Sequence, residues 1–376
     1  MSSLISFLNK QIFIIPFLLV LCACPGITTC AHATTLGKTA ISIAVLPVYN
    51  ISNAQAPLKE IRQFFIDMLT GAGITVLPEE DLEKFMVQHR IRQVGGVSRE
   101  ISRGLQEEAG VDAVLITTLA HYDEIYPPKI VIFARLVSTG EKAFILWAED
   151  TGMAGDDSPG ILGLGLIHTA DELLSTELDA LWTSLAGYLR GMEVPVKKIR
   201  EMDKFRPKSF YRSSLLDEKN EYSVAVAPFF NESLNKHAGQ IMALHYVNHL
   251  SKLKKYAVVE PGWVHDEFLK LRVIMDKGIS LAQADNLLAT LDADLILGGI
   301  VLDYQDYQGA VGTPKVDFST ILLERESRET VWNSYSWNTG GESVFFFDRG
   351  RMNTAYAMAS QMTGFVINMI ASGPKE

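Results

Sequence analysis

Short apolar runs closed by proline, glycine or asparagine alternate along this chain with longer stretches whose apolar positions recur every three or four residues. The alternation runs through the chain twice. In the first pass, residues 41–48 are apolar and bounded by Pro47 and Asn50, the pattern of a central strand. Pro57 then opens a helical pattern in which Leu58, Ile61, Phe65, Met68 and Leu69 share one face, and Gly71 and Gly73 stop it. A second short strand is predicted over 74–77, and helices over 79–88 and 98–109, the latter with Ser98 as N-cap. Strands over 113–122, 130–137 and 144–149 follow, the last two joined by a turn at 138–141. An amphipathic helix over about 167–189 closes the unit, and its counterpart in the second pass spans about 354–370.

The two passes also match in sequence. Ser42-Ile-Ala-Val-Leu-Pro-Val-Tyr-Asn-Ile-Ser52 and Ser223-Val-Ala-Val-Ala-Pro-Phe-Phe-Asn-Glu-Ser233 are identical at six of eleven positions, at an offset of 181. Further matches follow in the same order. Pro78 answers Pro261, Phe85 answers Phe268, Asp112 answers Asp294, Tyr122 answers Tyr304 and Trp147 answers Trp332. A co-linear series of this kind predicts two copies of one domain rather than a solenoid. The reading is α/β, with two mixed-sheet domains at 36–193 and 221–371. Between them, 194–220 carries eight Lys or Arg against four acids and reads as a basic, solvated linker.

Ahead of the repeats, residues 12–23 form a twelve-residue apolar run, short for a membrane span and fitting for the core of an export signal. Residues 1–33 are therefore expected to be a signal peptide with two exits. Leu21-Cys22-Ala23-Cys24 resembles a bacterial lipobox, with cleavage before Cys24 and lipidation of that cysteine. Ala31-His32-Ala33 instead fits ordinary cleavage after Ala33.

The order of strand A-V-x-P-x-x-N-x-S, helix, proline-bearing strand, helical region, and x-D-x-(V/I)-L entering a long hairpin resembles a known domain type. It is similar to the periplasmic α/β domain of the curli-secretion lipoprotein family (CsgG-like) and to the N-terminal domain of TolB, an anticodon-binding-like fold. The residues carrying the resemblance are Ala44, Val45, Pro47, Asn50, Ser52 and Asp112, and again Ala225, Val226, Pro228, Asn231, Ser233 and Asp294. The resemblance implies a non-catalytic, exported and often lipid-anchored protein used in envelope assembly. The membrane-inserting hairpins of the pore-forming members are not evident here, so an accessory role is expected rather than a pore.

Composition narrows the chemistry. The 376 residues are 48% apolar, with a net charge of −10; an acidic surface repels phosphate backbones, so nucleic acid is not an expected partner. All three cysteines lie at or before Cys30, so the body has no thiol nucleophile, disulfide framework or cysteine metal site. His245 and His249 share a helix face at i, i+4, but Tyr246 stands where a metalloprotease needs glutamate. They are expected to be surface or half-buried helix residues, and no metal is assigned. Gly160-Ile-Leu-Gly163-Leu-Gly165 lacks the lysine of a phosphate loop. No catalytic residue and no cofactor are assigned.

Asn50-Ile-Ser52 and Asn231-Glu-Ser233 read as turn-shaping side chains. The apolar loop residues Leu162, Leu164 and Leu166, and Phe345, Phe346 and Phe347 in the equivalent connection, are the expected partner-binding surface. The expected partners are envelope proteins, a membrane through Cys24, and further copies of the chain. The alternative is a bilobed periplasmic protein that closes on a small molecule.

Overall fold

The computed structural model describes residues 41–373 apart from 93, 159–163, 193–202, 218, 273–280, 310 and 343–351. The signal region with Cys24, together with Leu162 and Phe345–Phe347, lies outside the described residues.

The apolar run at 41–48 divides into β1 (Ser42–Val45) and β2 (Tyr49–Asn50), with Pro47 at the break. The helical pattern after Pro57 becomes α1 (Leu58–Gly71), burying Ile61, Phe65 and Leu69. β3 (Thr75–Val76), α2 (Glu79–Gln88) and α3 (Arg99–Glu107) follow, and the Ser98 side chain accepts a hydrogen bond from Ile101 N at the start of α3. β4 (Ala113–Asp123), β5 (Lys129–Ser138) and β6 (Ile145–Ala154) form a meander, and α4 (Ala170–Leu189) closes the half. β6 runs five residues beyond the expected end.

The second half repeats the order. β8 (Tyr222–Val226), β9 (Phe230–Asn231), α5 (Ala238–Ser251), β10 (Tyr256–Val258), α6 (Pro261–Lys270) and α7 (Leu281–Leu291) lead into β11 (Leu295–Gln305), β12 (Lys315–Glu324) and β13 (Thr330–Thr339), and α8 (Ala355–Ser372) ends it. One strand has no counterpart among the described residues of the first half. β7 (Ser209–Arg212), inside the stretch expected to be a solvated linker, pairs antiparallel with β13. Phe210 stacks on Trp332, with ring centroids 5.8 Å apart. The basic residues around it hide a short aromatic strand.

Both sheets are mixed, with the first in the order β3-β1-β4-β5-β6 and the second β10-β8-β11-β12-β13-β7. Their irregularities coincide: the register breaks between Leu119 and His121 on β4 and between Val301 and Asp303 on β11, the seventh and ninth residues of each strand. It breaks again between Leu136 and Val137 on β5 and between Leu322 and Leu323 on β12. The Asn-x-Ser steps are also alike. Asn50 Oδ1 accepts from Ser52 N and Oγ at 3.0 and 2.7 Å, and Asn231 Oδ1 from Ser233 N and Oγ at 3.1 and 2.7 Å. Asp112 and Asp294 each hold the start of the first strand of their half, accepting from Ser42 N at 2.8 Å and Ser223 N at 2.7 Å.

Three apolar clusters organise the packing. α1 and α4 cover one face of the first sheet, around Phe65, Leu115, Ile132 and Leu181. α5 and α8 lie between the sheets and touch both. There Tyr246, Met362 and Ile367 share a cluster with Phe133 from the first sheet and Phe318 and Trp332 from the second. The third cluster joins α2 and α3 to α6 and α7 through Phe85, Leu105, Trp263 and Leu287. Two of the three cores thus draw on both halves, and Ala40–Glu376 form one compact unit. Among the described residues no helix is long and apolar enough to cross a membrane.

Candidate functional site

The seam between the halves concentrates the buried charge of the molecule. Arg135 projects from β5, and Glu260 directly precedes α6. They form a two-pronged ion pair, Nε–Oε2 at 3.0 Å and Nη2–Oε1 at 2.8 Å, with side chains 3% and 0% exposed. Arg135 Nη2 also donates to Gly95 O at 2.6 Å, and Glu260 Oε1 accepts from Gly262 N at 3.3 Å. Gly96 and Gly262 bring two backbones into contact here, and a Cβ on Gly262 would overlap the backbone of Val97.

A second group lies under α5 and α8. Asp150 on β6 accepts from Asn248 Nδ2 and lies 3.7 Å from His245 Nδ1. Tyr356 of α8 packs against Gly152, where a Cβ would overlap its ring. Burial pushes the Tyr356 hydroxyl well above the ordinary tyrosine range, and the Asp150 carboxylate adds to the shift. Lys252 Nζ reaches Glu149 at 2.6 Å. The expectation of surface or half-buried histidines is corrected here. His245 is fully buried edge-on to Phe133, and His249 is 9% exposed with its Nε2 2.8 Å from Ser360 O. His245 meets the first sheet and His249 meets α8, which the helix sequence alone does not disclose. No group of three or more His, Cys, Asp or Glu among the described residues is arranged to hold a metal ion.

A third contact joins the hairpin ends. Lys129, fully buried, donates to Tyr307 O at 2.5 Å, lies 3.5 Å from the Tyr307 ring centroid and 4.0 Å from Asp306. Burial lowers its pKa, against the pull of Asp306 and neighbouring aspartates. These ionisable residues are enclosed and face one another. They join the halves.

The seam also holds a cleft, lined by Tyr49, Ile51, Thr118, Val226, Leu244 and His265 among others. Thr118 Oγ1 has no hydrogen-bond partner there. Burial holds the His265 imidazole below the ordinary histidine range. The cavity volume is about 70 Å³, far below the 300–1,000 Å³ of pockets that enclose drug-sized ligands.

Outside the seam, the second sheet carries a half-open face. On β13, Trp332, Ser334, Ser336 and Asn338 point into the core, while Asn333, Tyr335 and Trp337 point outward. In register with them stand Asp317, Ser319 and Ile321 on β12, then Ile300 and Asp303 on β11. Trp337 is 42% and Ile300 37% exposed. Asp303 and Asp317 lie directly opposite one another, and Tyr335 donates its hydroxyl to Asp317 at 3.1 Å. Burial, with the neighbouring Asp303 charge, raises the Asp317 pKa. Among the described residues neither carboxylate is in an ion pair.

Of the expected contact residues, Leu164 is 87% exposed and Leu166 half-buried. The open face was not expected from the sequence. Its available signal is the placement of aromatics at both parities of one strand, Trp332 inward and Tyr335 and Trp337 outward.

No protein-family model matches the chain, and no characterised protein matches it in sequence. Among solved structures it is similar to a PelC dodecamer from Paraburkholderia phytofirmans, at 16% identity over 43% of this chain and 96% of that one, TM-score 0.31. It is similar to lipoprotein GNA1162 from Neisseria meningitidis, at 24% identity over 38% and 98%, TM-score 0.28. A third likeness is to the LpoB C-terminal domain from Escherichia coli, at 12% identity over 31% and 82%, TM-score 0.23. Each covers less than half of this chain.

Proposed function

We propose that this chain is an exported, lipid-anchored, non-enzymatic protein of the bacterial envelope, acting as an assembly or accessory factor through contacts with other proteins. The observation that carries the reading is the open face of the second sheet. A half-exposed row of Trp, Tyr and Ile beside carboxylates is interface chemistry, because amphipathic aromatic side chains gain most from burial against a partner. The charged groups of the seam, by contrast, are enclosed and mutually engaged. The small volume of the seam cleft counts against a bilobed receptor closing on a small molecule.

In this reading the two halves descend from one CsgG-like or TolB N-terminal-like domain by duplication. The coincident register breaks and the paired Asn-x-Ser turns support that descent. The apolar loop residues Leu162, Leu164, Leu166, Phe345, Phe346 and Phe347 are further contact residues in this reading. The anchor is Cys24, on the periplasmic side of a membrane. Cell fractionation tests the anchor: wild type sediments with membranes, Cys24→Ser becomes soluble, and the mature N-terminus has the mass of a lipidated cysteine. A mature chain starting at Thr34, or sedimentation unchanged by Cys24→Ser, would contradict it.

A further inference from the structure

The second sheet ends in β7, and among the described residues no strand pairs with its outer edge. Ser213 N donates to Val331 O at 2.9 Å, one step beyond the Arg212–Trp332 pair of the β7–β13 register. Main-chain direction alternates along an antiparallel strand. Ser209 and Tyr211 therefore turn their main-chain groups to β13, and Phe210 turns its N–H and C=O outward. Edge strands are commonly guarded by charged side chains, but the cations flanking this edge turn inward. Lys208 reaches Glu342 at 3.2 Å and sits 5.0 Å from the Trp337 ring centroid, Arg206 lies over the Phe210 ring, and Arg212 donates to Leu216 O and Ile370 O. Aromatic surface is left on both sides of the edge. Tyr211, 55% exposed, stands beside Asn333 on the open face, and Phe210, 37% exposed, beside Ser334 on the other. A helix laid on the sheet covers one face only. A strand added at the edge meets both, because its side chains alternate.

We propose that β7 takes up an extended segment of a partner protein as the next strand of the second sheet, bonded through the Phe210 main chain and packed on Tyr211 and Phe210. The segment is not an edge of another copy of this chain. Among the described residues the other sheet edges are β3, of two residues, β10, of three, and β6. α5 crosses the edge of β6: its Asn248 and Lys252 reach the consecutive residues Asp150 and Glu149, which point to opposite faces. Two β7 strands paired about Phe210 would set Lys208 opposite Arg212, like charges that repel. The inference rests on the reading of protein contacts given above.

The test places a photo-crosslinker in the full chain, in living cells, at Ser209 and separately at Tyr211, and maps the joined partner residues by mass spectrometry. The two positions share a face two residues apart, so a paired strand is joined at residues two apart and a helix at residues three or four apart. The first spacing is expected. In a second arm, read from the crosslinker at 211, Phe210→Pro removes the outward N–H, a change that edge strands accommodate, while Phe210→Leu trims the ring and keeps the N–H. Phe210→Pro is expected to lower the joined fraction about tenfold or more with an unchanged circular dichroism spectrum, and Phe210→Leu to retain most of it. Should Phe210→Pro fail to fold, the spacing decides alone. Helical spacing, joining to the chain itself, equal losses in two folded variants, or full joining by Phe210→Pro overturns the proposal. If a protein is joined from position 337 but not from 211, this site is refuted while the contact reading survives. If none is joined from either, the broader reading fails.

Discussion

Replacing Glu260 by alanine would strip the Arg135 guanidinium of the carboxylate that meets it on two nitrogens, leaving Gly95 O of its own half, at 2.6 Å, as its remaining acceptor. Both side chains are almost wholly excluded from water. Breaking a buried pair from one side leaves an uncompensated charge and costs roughly 3–5 kcal/mol, whereas replacing both partners by apolar residues of like volume is often near neutral. At about 1.4 kcal/mol per decade, the single change should shift the folding equilibrium by roughly a thousandfold. That is a large share of the ~5–15 kcal/mol by which a typical domain is stable. Urea unfolding followed by tryptophan fluorescence and by far-ultraviolet circular dichroism measures it. Because Trp147 lies in the core of the first half alone and Trp263 in a core shared by both halves, a molecule whose halves unfold together should give one coincident transition by both probes in the wild type. Glu260→Ala should lower the midpoint strongly, and Arg135→Met with Glu260→Leu should recover most of the loss. A loss under about 1 kcal/mol, or a double variant as unstable as the sum of the singles, would refute the argument that this pair joins the halves.

Gly262→Ala should destabilise by about 2 kcal/mol or more, since the added methyl meets the Val97 backbone rather than a movable side chain; thermal melts check this against Gly187→Ala, where the added methyl meets open space. Asp317 has its pKa raised in the folded state, so folding favours its neutral form. Stability is therefore lost progressively as pH rises from the ordinary carboxylate value to the folded one, and the loss is complete above it. Asp317→Asn should be the more stable protein at pH 7, and the difference should vanish as pH falls below the ordinary carboxylate range; urea midpoints across pH 4–8 measure both. Thr354→Ala should cost about 1 kcal/mol, because its side chain accepts from Ala357 N at 3.1 Å and caps α8, a loss visible in the same melts.

The elements of this fold were legible where local chemistry decides them. α2 occupies 79–88 as expected, and Ser98 caps α3 through its own hydroxyl. The Asn-x-Ser turns are made by side chains two residues apart, so the sequence carries them whole. What joins the halves is different in kind. Arg135 and Glu260 are 125 residues apart, and Asp150 and Asn248 are 98 apart; periodicity within a helix or strand holds no record of such pairing. His245 and His249 read as residues of an ordinary helix surface because the Phe133 that His245 meets belongs to the other half and the Ser360 that His249 meets lies on α8, 111 residues away. β7 was hidden for a related reason: Lys208 and Arg212 flank Phe210 and Tyr211, and charge outweighed the two aromatics until β13 supplied a partner strand.

Photo-crosslinking in living cells from position 337, followed by purification from the envelope fraction, tests the central claim most directly. The account predicts one envelope protein recovered in fixed ratio, with nothing joined when the crosslinker is placed at Asp171 instead. A chain recovered alone, monomeric and soluble from both positions would contradict it.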